Sequence, residues 1–82
     1  MKIKYFSWLK NITKKDSEVI DNNNIKDLES LKKYLCKKYP KLYNHVFEDE
    51  VIRFAVNLEY QTENHKLNPI DEIALFPPVS GG

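Results

Sequence analysis

The sequence predicts an α+β domain in which one main helix packs across a mixed sheet of four to five strands. Three observations predict it. Leu28, Leu31, Leu35, Tyr39 and Leu42 recur at spacings of 3, 4, 4 and 3, which makes one apolar stripe along an amphipathic helix. Ile52, Phe54, Val56 and Leu58 alternate with Arg53, Ala55 and Asn57, the period of a half-buried strand. Apolar runs rich in strand-forming residues sit near both ends of the chain, "KIKYFSW" at 2–8 and "EIALF" at 72–76. Strands gathered around one long helix favour a two-layer domain with the helix on one sheet face.

Taken in order, residues 2–8 form the first strand, and Leu9 and Ile12 allow a short turn of helix after it. "SEVID" (17–21) is a second short strand, and "DNNN" (21–24) a turn, because Asn and Asp tolerate turn geometry. Asp27 has the right chemistry to cap the main helix. Pro40 ends that helix, since a residue before proline avoids helical backbone angles. Glu48-Asp49-Glu50 is a charged loop. "VIRFAVNLEY" (51–60) is the clearest strand, with a minor one near 59–62, and Asn68-Pro69 starts a turn. "EIALF" is apolar enough to be buried on both faces, which suits a central strand. A β-grasp arrangement satisfies this order, with the first and last long strands parallel and adjacent.

Composition narrows the function classes. An 82-residue chain that is 41% hydrophobic makes one small domain with one core. A net charge of +1, with Arg53 as the only arginine among 13 basic residues, gives little support to nucleic-acid recognition, which leans on arginine's planar fork. The lysine pairs at 32–33 and 37–38 are a solvated helix face before they are a docking surface for RNA or an acidic partner. Tyr34, Tyr39 and Tyr43 are flank or core aromatics before they are base-stacking platforms. A lone Cys36 at the edge of the stripe reads as a half-buried structural thiol and suits a reducing, cytoplasmic location. No apolar run is long enough for a bilayer, and the N-terminus lacks a signal-peptide core. His45 and His65 lack metal-ligand spacing with Cys36. No Ser-His-Asp, Cys-His or paired-carboxylate set stands out, so no catalytic side chains are expected, and no bound cofactor or metal.

The chemistry concentrates in the tail "FPPVSGG" (76–82), which holds both glycines of the chain. The domain proper then spans 1–76, and 77–82 extends from it. Pro77 and Pro78 lack amide hydrogens, so an interior strand cannot continue past Phe76, and they favour a stiff extended path. Ser80-Gly81-Gly82 would make a thin arm, mobile when free, able to pass a narrow channel because glycine has no side chain. Its terminal carboxylate is a poor electrophile until adenylated. A sulfur or amine nucleophile could then displace AMP, which is acyl activation and transfer at the protein's own terminus.

"AVN" (55–57) and "DEIALFPPVSGG" (71–82) resemble the small, sulfur-carrying subunits of molybdopterin synthases, a ubiquitin-like β-grasp family. The resemblance implies the following. An E1-like enzyme uses ATP to adenylate Gly82, and a sulfur donor converts it to a thiocarboxylate. The tail enters the active site of the large subunit, in a heterotetramer of two small and two large subunits, and gives its sulfur to cyclic pyranopterin monophosphate. Phe76, Pro77, Pro78, Val79, Ser80 and Gly81 contact the partner, with Phe76 as the anchor. Neither nucleic acid nor membrane is implied. The family commonly has Gly-Asp-Glu before its last strand, where this chain has Ile70-Asp71-Glu72. Lys10-Asn11 stand where Arg-Glu and a glycine are common. Related carriers for tRNA thiolation or thiamine, or a modifier conjugated to lysines, share the Gly-Gly end and form the alternative.

Overall fold

The computed structural model describes residues 1–78. Five strands form one sheet: β1 (Lys2–Tyr5), β2 (Ser17–Val19), β3 (Arg53–Val56), β4 (Glu59–Gln61) and β5 (Glu72–Phe76), in the order β2-β1-β5-β3-β4. β1 and β5 pair in parallel at the centre, and every other pairing is antiparallel. The five-residue helix α1 (Leu9–Thr13) follows β1, and α2 (Leu28–Lys38) is the main helix. The expected α+β class, the single long helix and the parallel central pair are therefore all present.

The core lies between α2 and one face of the sheet. Two rows of inward side chains cross the strands: Ile3, Ile73 and Val56 in one, Tyr5, Leu75 and Phe54 in the other. Leu28, Leu31 and Leu35 of α2 complete this core, and Leu42 joins them from a 3-10 turn at Pro40–Leu42. Asp27 caps α2 as its chemistry suggested. Its carboxylate accepts from the Ser30 amide at 2.8 Å, and the Ser30 hydroxyl accepts from the Asp27 amide at 3.2 Å, a reciprocal capping box. Lys37 and Lys38 in the last turn suit the negative end of the helix dipole. After Pro40 the chain makes a π-helical turn at Asn44–Glu48, so Glu48 ends a helical turn and only Asp49 and Glu50 lie in the loop.

Three strand expectations are corrected. The first strand stops at Tyr5 rather than Trp8, because Ser7 takes a left-handed φ of 58° that turns the chain into α1. The alternation through Ile52, Phe54, Val56 and Leu58 is broken after Val56. Asn57 and Leu58 both have positive φ, 50° and 70°, and Val56 pairs with Glu59 across them. That is a two-residue type I′ hairpin turn, and it leaves Leu58 96% exposed. Finally, β5 is buried on one face only: Ile73 and Leu75 point into the core, while Glu72, Ala74 and Phe76 lie on the uncovered face. Cys36 is buried at 7% exposure, deeper than its edge position suggested.

Candidate functional site

The site begins where β5 ends. Phe76 pairs with Arg53 of β3 at the edge of the parallel centre, and Pro77 and Pro78 then leave the sheet without strand partners. Two successive residues without amide hydrogens make that exit obligatory. Val79, Ser80, Gly81 and Gly82, the remainder of the predicted reactive arm, lie outside the described residues, as does the expectation of a mobile tail.

Around the exit, the uncovered sheet face carries aromatic side chains on a small-residue floor. Register places Lys4, Ala74, Ala55 and Tyr60 in one row across four strands. The two alanines leave the middle of that row shallow. Phe76 lies beside it, its ring 6.3 Å from that of Tyr60. Phe6, 46% exposed, follows β1 at the same end of the sheet, its amide donating to the Leu75 carbonyl at 3.1 Å. Trp8 comes next and packs edge-on against His45 at 4.9 Å. Lys4 and Glu72 form an ion pair at 2.7 Å on this face. Hydrogen bonding from Lys4 holds the Glu72 carboxyl below its ordinary range. An apolar centre with a charged margin has the composition of a protein-docking surface.

The sequence singles out Phe76, Pro77 and Pro78; the fold places Phe6, Trp8 and Tyr60 near them, three residues the sequence pattern does not mark. Phe6 and Trp8 were absorbed into an over-long first strand, and Tyr60 belongs to the hairpin that the broken alternation concealed. An aromatic at each end of two adjacent strands was the available signal.

The two halves of the sequence motif meet in space. The Asn57 side chain donates to the Asp71 carboxylate at 2.9 Å and accepts from the Glu72 amide at 3.0 Å, while the Asn57 amide donates to the Glu72 carbonyl at 2.8 Å. The other Asp71 oxygen accepts from the Asn68 amide at 2.8 Å. This network welds the β3–β4 turn to the start of β5 and so fixes the register of the strand that ends in the tail. Ile70, next to this network, projects into solvent and disturbs nothing. The Lys10-Asn11 departure falls inside α1, and Lys14 takes the left-handed C-cap at φ 64°.

Other groups weighed from the sequence lie elsewhere. His45 is bound to Trp8, and His65 caps the approach to α2 through its carbonyl. Among the described residues no three His, Cys, Asp or Glu side chains converge as metal ligands. Burial raises the Cys36 thiol above its ordinary value, which disfavours the reactive thiolate. Among the described residues no helix is long and apolar enough to cross a membrane.

A five-stranded mixed sheet with parallel terminal strands and one helix across it defines a ubiquitin-like β-grasp protein. The chain belongs to the ThiS family, whose model matches residues 3–82. It is 39% identical to the molybdopterin synthase sulfur carrier subunit of Dictyostelium discoideum, across 99% of this chain and 94% of that protein. It is 30% identical to the protein of the same name in Caenorhabditis briggsae, across 100% and 96%. Among solved structures, small archaeal modifier protein 1 of Haloferax volcanii superposes with a TM-score of 0.81 at 28% identity, covering 99% of this chain and 97% of that one. The modifier protein 1 of Methanosarcina acetivorans gives 0.82 at 24% identity, covering 99% and 94%, which supports the fold. The resemblance drawn from "AVN" and the tail thus extends along the whole chain.

Proposed function

We propose that this chain is the sulfur-carrying small subunit of a molybdopterin synthase. The observation that carries the reading is the full-length likeness to two sulfur carrier subunits, within a family match that runs through Gly82. The geometry agrees with it. A rigid strand, registered by the Asn57–Asp71 network, launches Pro77-Pro78 from an aromatic docking face.

In the proposed cycle, a Gly82 carboxylate oxygen attacks the α-phosphorus of ATP in an E1-like partner and expels pyrophosphate. A sulfur donor then displaces AMP to leave a thiocarboxylate. The large subunit covers Phe6, Ala55, Ala74, Tyr60 and Phe76, and Val79 to Gly82 enter its active site. The ionised sulfur attacks a side-chain carbon of cyclic pyranopterin monophosphate and expels an oxygen substituent, and water then cleaves the acyl–sulfur bond, leaving the sulfur on the pterin and returning the Gly82 carboxylate. The carrier supplies the reacting group and its placement; the large subunit supplies the catalytic side chains.

The experiment is an intact mass of the protein purified from its own cells, with a Gly82-deleted variant beside it. A gain equal to exchange of one oxygen for sulfur in the parent, absent in the variant, supports the carrier. A variant that still sustains molybdopterin formation refutes it. The likeness to an archaeal modifier supports a second reading, attachment of Gly82 to lysines of other proteins. That reading predicts isopeptide-linked Gly82 in digests and no thiocarboxylate.

A further inference from the structure

Charge is distributed unevenly along this nearly neutral chain. Residues 10–18 and 32–41 carry eight lysines against two acidic residues, a net +6, whereas the rest carries five basic against ten acidic residues, a net −5. The fold brings the two basic segments together. α1 leads out of β1, and the end of α2 is tied to β1 and β2 through Tyr39, whose ring meets Tyr5 edge-on at 6.1 Å, and through Lys38, bound to Glu18. Between them lies a surface hollow of about 260 Å³. Ile12, Tyr39 and Pro40 give it an apolar lining, and Lys14, Lys38 and Lys41 surround it. Lys38 is engaged by Glu18, but Lys14 and Lys41 form no ion pair among the described residues.

We propose that this hollow is a docking site for an acidic segment of a partner protein, one that carries an aliphatic side chain between carboxylates. The aliphatic group would sit on Ile12 and Pro40, and flanking carboxylates would meet Lys14 and Lys41. The acidic remainder of the domain repels such a segment and directs it to this end. Protein is favoured over RNA by the aromatic chemistry of the hollow. The Tyr39 hydroxyl is committed to Glu18 at 2.6 Å, and the Lys38 ammonium lies 5.6 Å from the centre of the Tyr39 ring, so a cation already competes for a ring face that a base would stack on. The patch also contains no arginine. It lies at the end of the sheet from which the tail departs, since Tyr5, which Tyr39 touches, is paired with Leu75. It does not depend on the chemistry of Gly82.

The probe is a fluorescent ten-residue glutamate peptide with one central leucine, titrated into the full chain by anisotropy and followed by amide chemical shifts. We expect saturable binding that weakens with salt, with shifts centred on Asn11, Ile12, Tyr39 and Lys41. The pair of exposed changes Lys14→Asn and Lys41→Gln should weaken it about fivefold, as expected for two solvent-exposed ion pairs. Asparagine is chosen at Lys14 because it accepts left-handed backbone. An all-glutamate peptide should bind more weakly. Equal binding of that peptide, shifts spread away from the hollow, no binding at millimolar peptide, or tighter binding of a ten-nucleotide oligouridylate to the same amides would each overturn the proposal.

Discussion

Replacing Glu18 with glutamine tests the linkage between α2 and the strand edge. One carboxylate here accepts three hydrogen bonds of 2.6 Å, from the Tyr5 and Tyr39 hydroxyls on one oxygen and from the Lys38 ammonium on the other. Its side chain is only 9% exposed, while Lys38 is 39% exposed. Burial pushes the Glu18 carboxyl up, but hydrogen bonds from Lys38, Tyr39 and Tyr5 outweigh it and hold the group below its ordinary value. Burial, followed by the Glu18 bond, pushes the Tyr5 hydroxyl well above its ordinary value. Bonds to a charged acceptor contribute about 1.5–3 kcal/mol each, although solvent reduces the Lys38 share. Glutamine keeps one acceptor oxygen and places an amide where an ammonium or two hydroxyls point. Loss of about 2–4 kcal/mol at pH 7 is therefore expected in urea denaturation. The pH dependence carries the sharper test. A carboxyl held low in the fold stabilises fully above its unfolded value and loses that contribution as pH falls through the folded one. The gap between parent and Glu18→Gln should be largest above the ordinary glutamate value of about 4.3 and narrow as pH falls below it. Asp27 and Glu72 are also held low, but they are common to both proteins and cancel. A gap below about 0.5 kcal/mol at pH 7, or one unchanged on acidification, would refute the reasoning.

Leu58→Gly should stabilise the domain by about 0.5–1 kcal/mol, because it relieves a left-handed residue whose side chain makes no buried contact and creates the preferred Asn-Gly type I′ turn; a lower melting temperature would count against that turn assignment. Phe76→Ala should weaken binding to a purified large subunit by roughly thirtyfold, the loss of one central aromatic anchor, and calorimetry showing an affinity within about threefold of the parent would remove Phe76 as the hot spot. Cys36 should react with iodoacetamide at least about tenfold more slowly in the native protein than in denaturant, since its thiol is buried and held above its usual value; comparable rates would mean that the helix edge opens readily.

Much of this architecture was legible because the signals were periodic. The stripe from Leu28 to Leu35 and the cap at Asp27 defined α2 closely. The parallel pairing of β1 and β5 was expected from the β-grasp order of elements, which the apolar character of "EIALF" fits, although β5 is covered on one side only. Four apolar residues behind a single glutamate do not distinguish those cases. The β3–β4 hairpin was concealed for a physical reason. Asn57-Leu58 is an unfavourable type I′ sequence, stabilised by the Asn57 bonds to Asp71 and Glu72 rather than by local preference. Such long-range bonds leave no mark on the local pattern. The same holds for the aromatic face, assembled from Phe6 just after β1, Tyr60 in the middle of β4 and Phe76 at the end of β5. The tail motif stood out for the opposite reason, since Pro77-Pro78 and the Gly-Gly end are marked by the order of residues alone.

Lys2 and Glu72, partners at the centre of the sheet, stand 70 positions apart in sequence. Pairing at that separation closes nearly the whole domain as one loop, the kind of long-range contact that slows folding. During synthesis from the N-terminus, β1, β2, α2 and the β3–β4 hairpin all exist before β5 emerges, and none of them has a complete core. Pro77 and Pro78 can be held in one direction only once Phe76 is locked beside Arg53. A chain in which β5 has not yet paired holds Phe76 beside no strand and gives Pro77-Pro78 no fixed direction, so a partner that needed both the aromatic face and this exit would select the completed sheet.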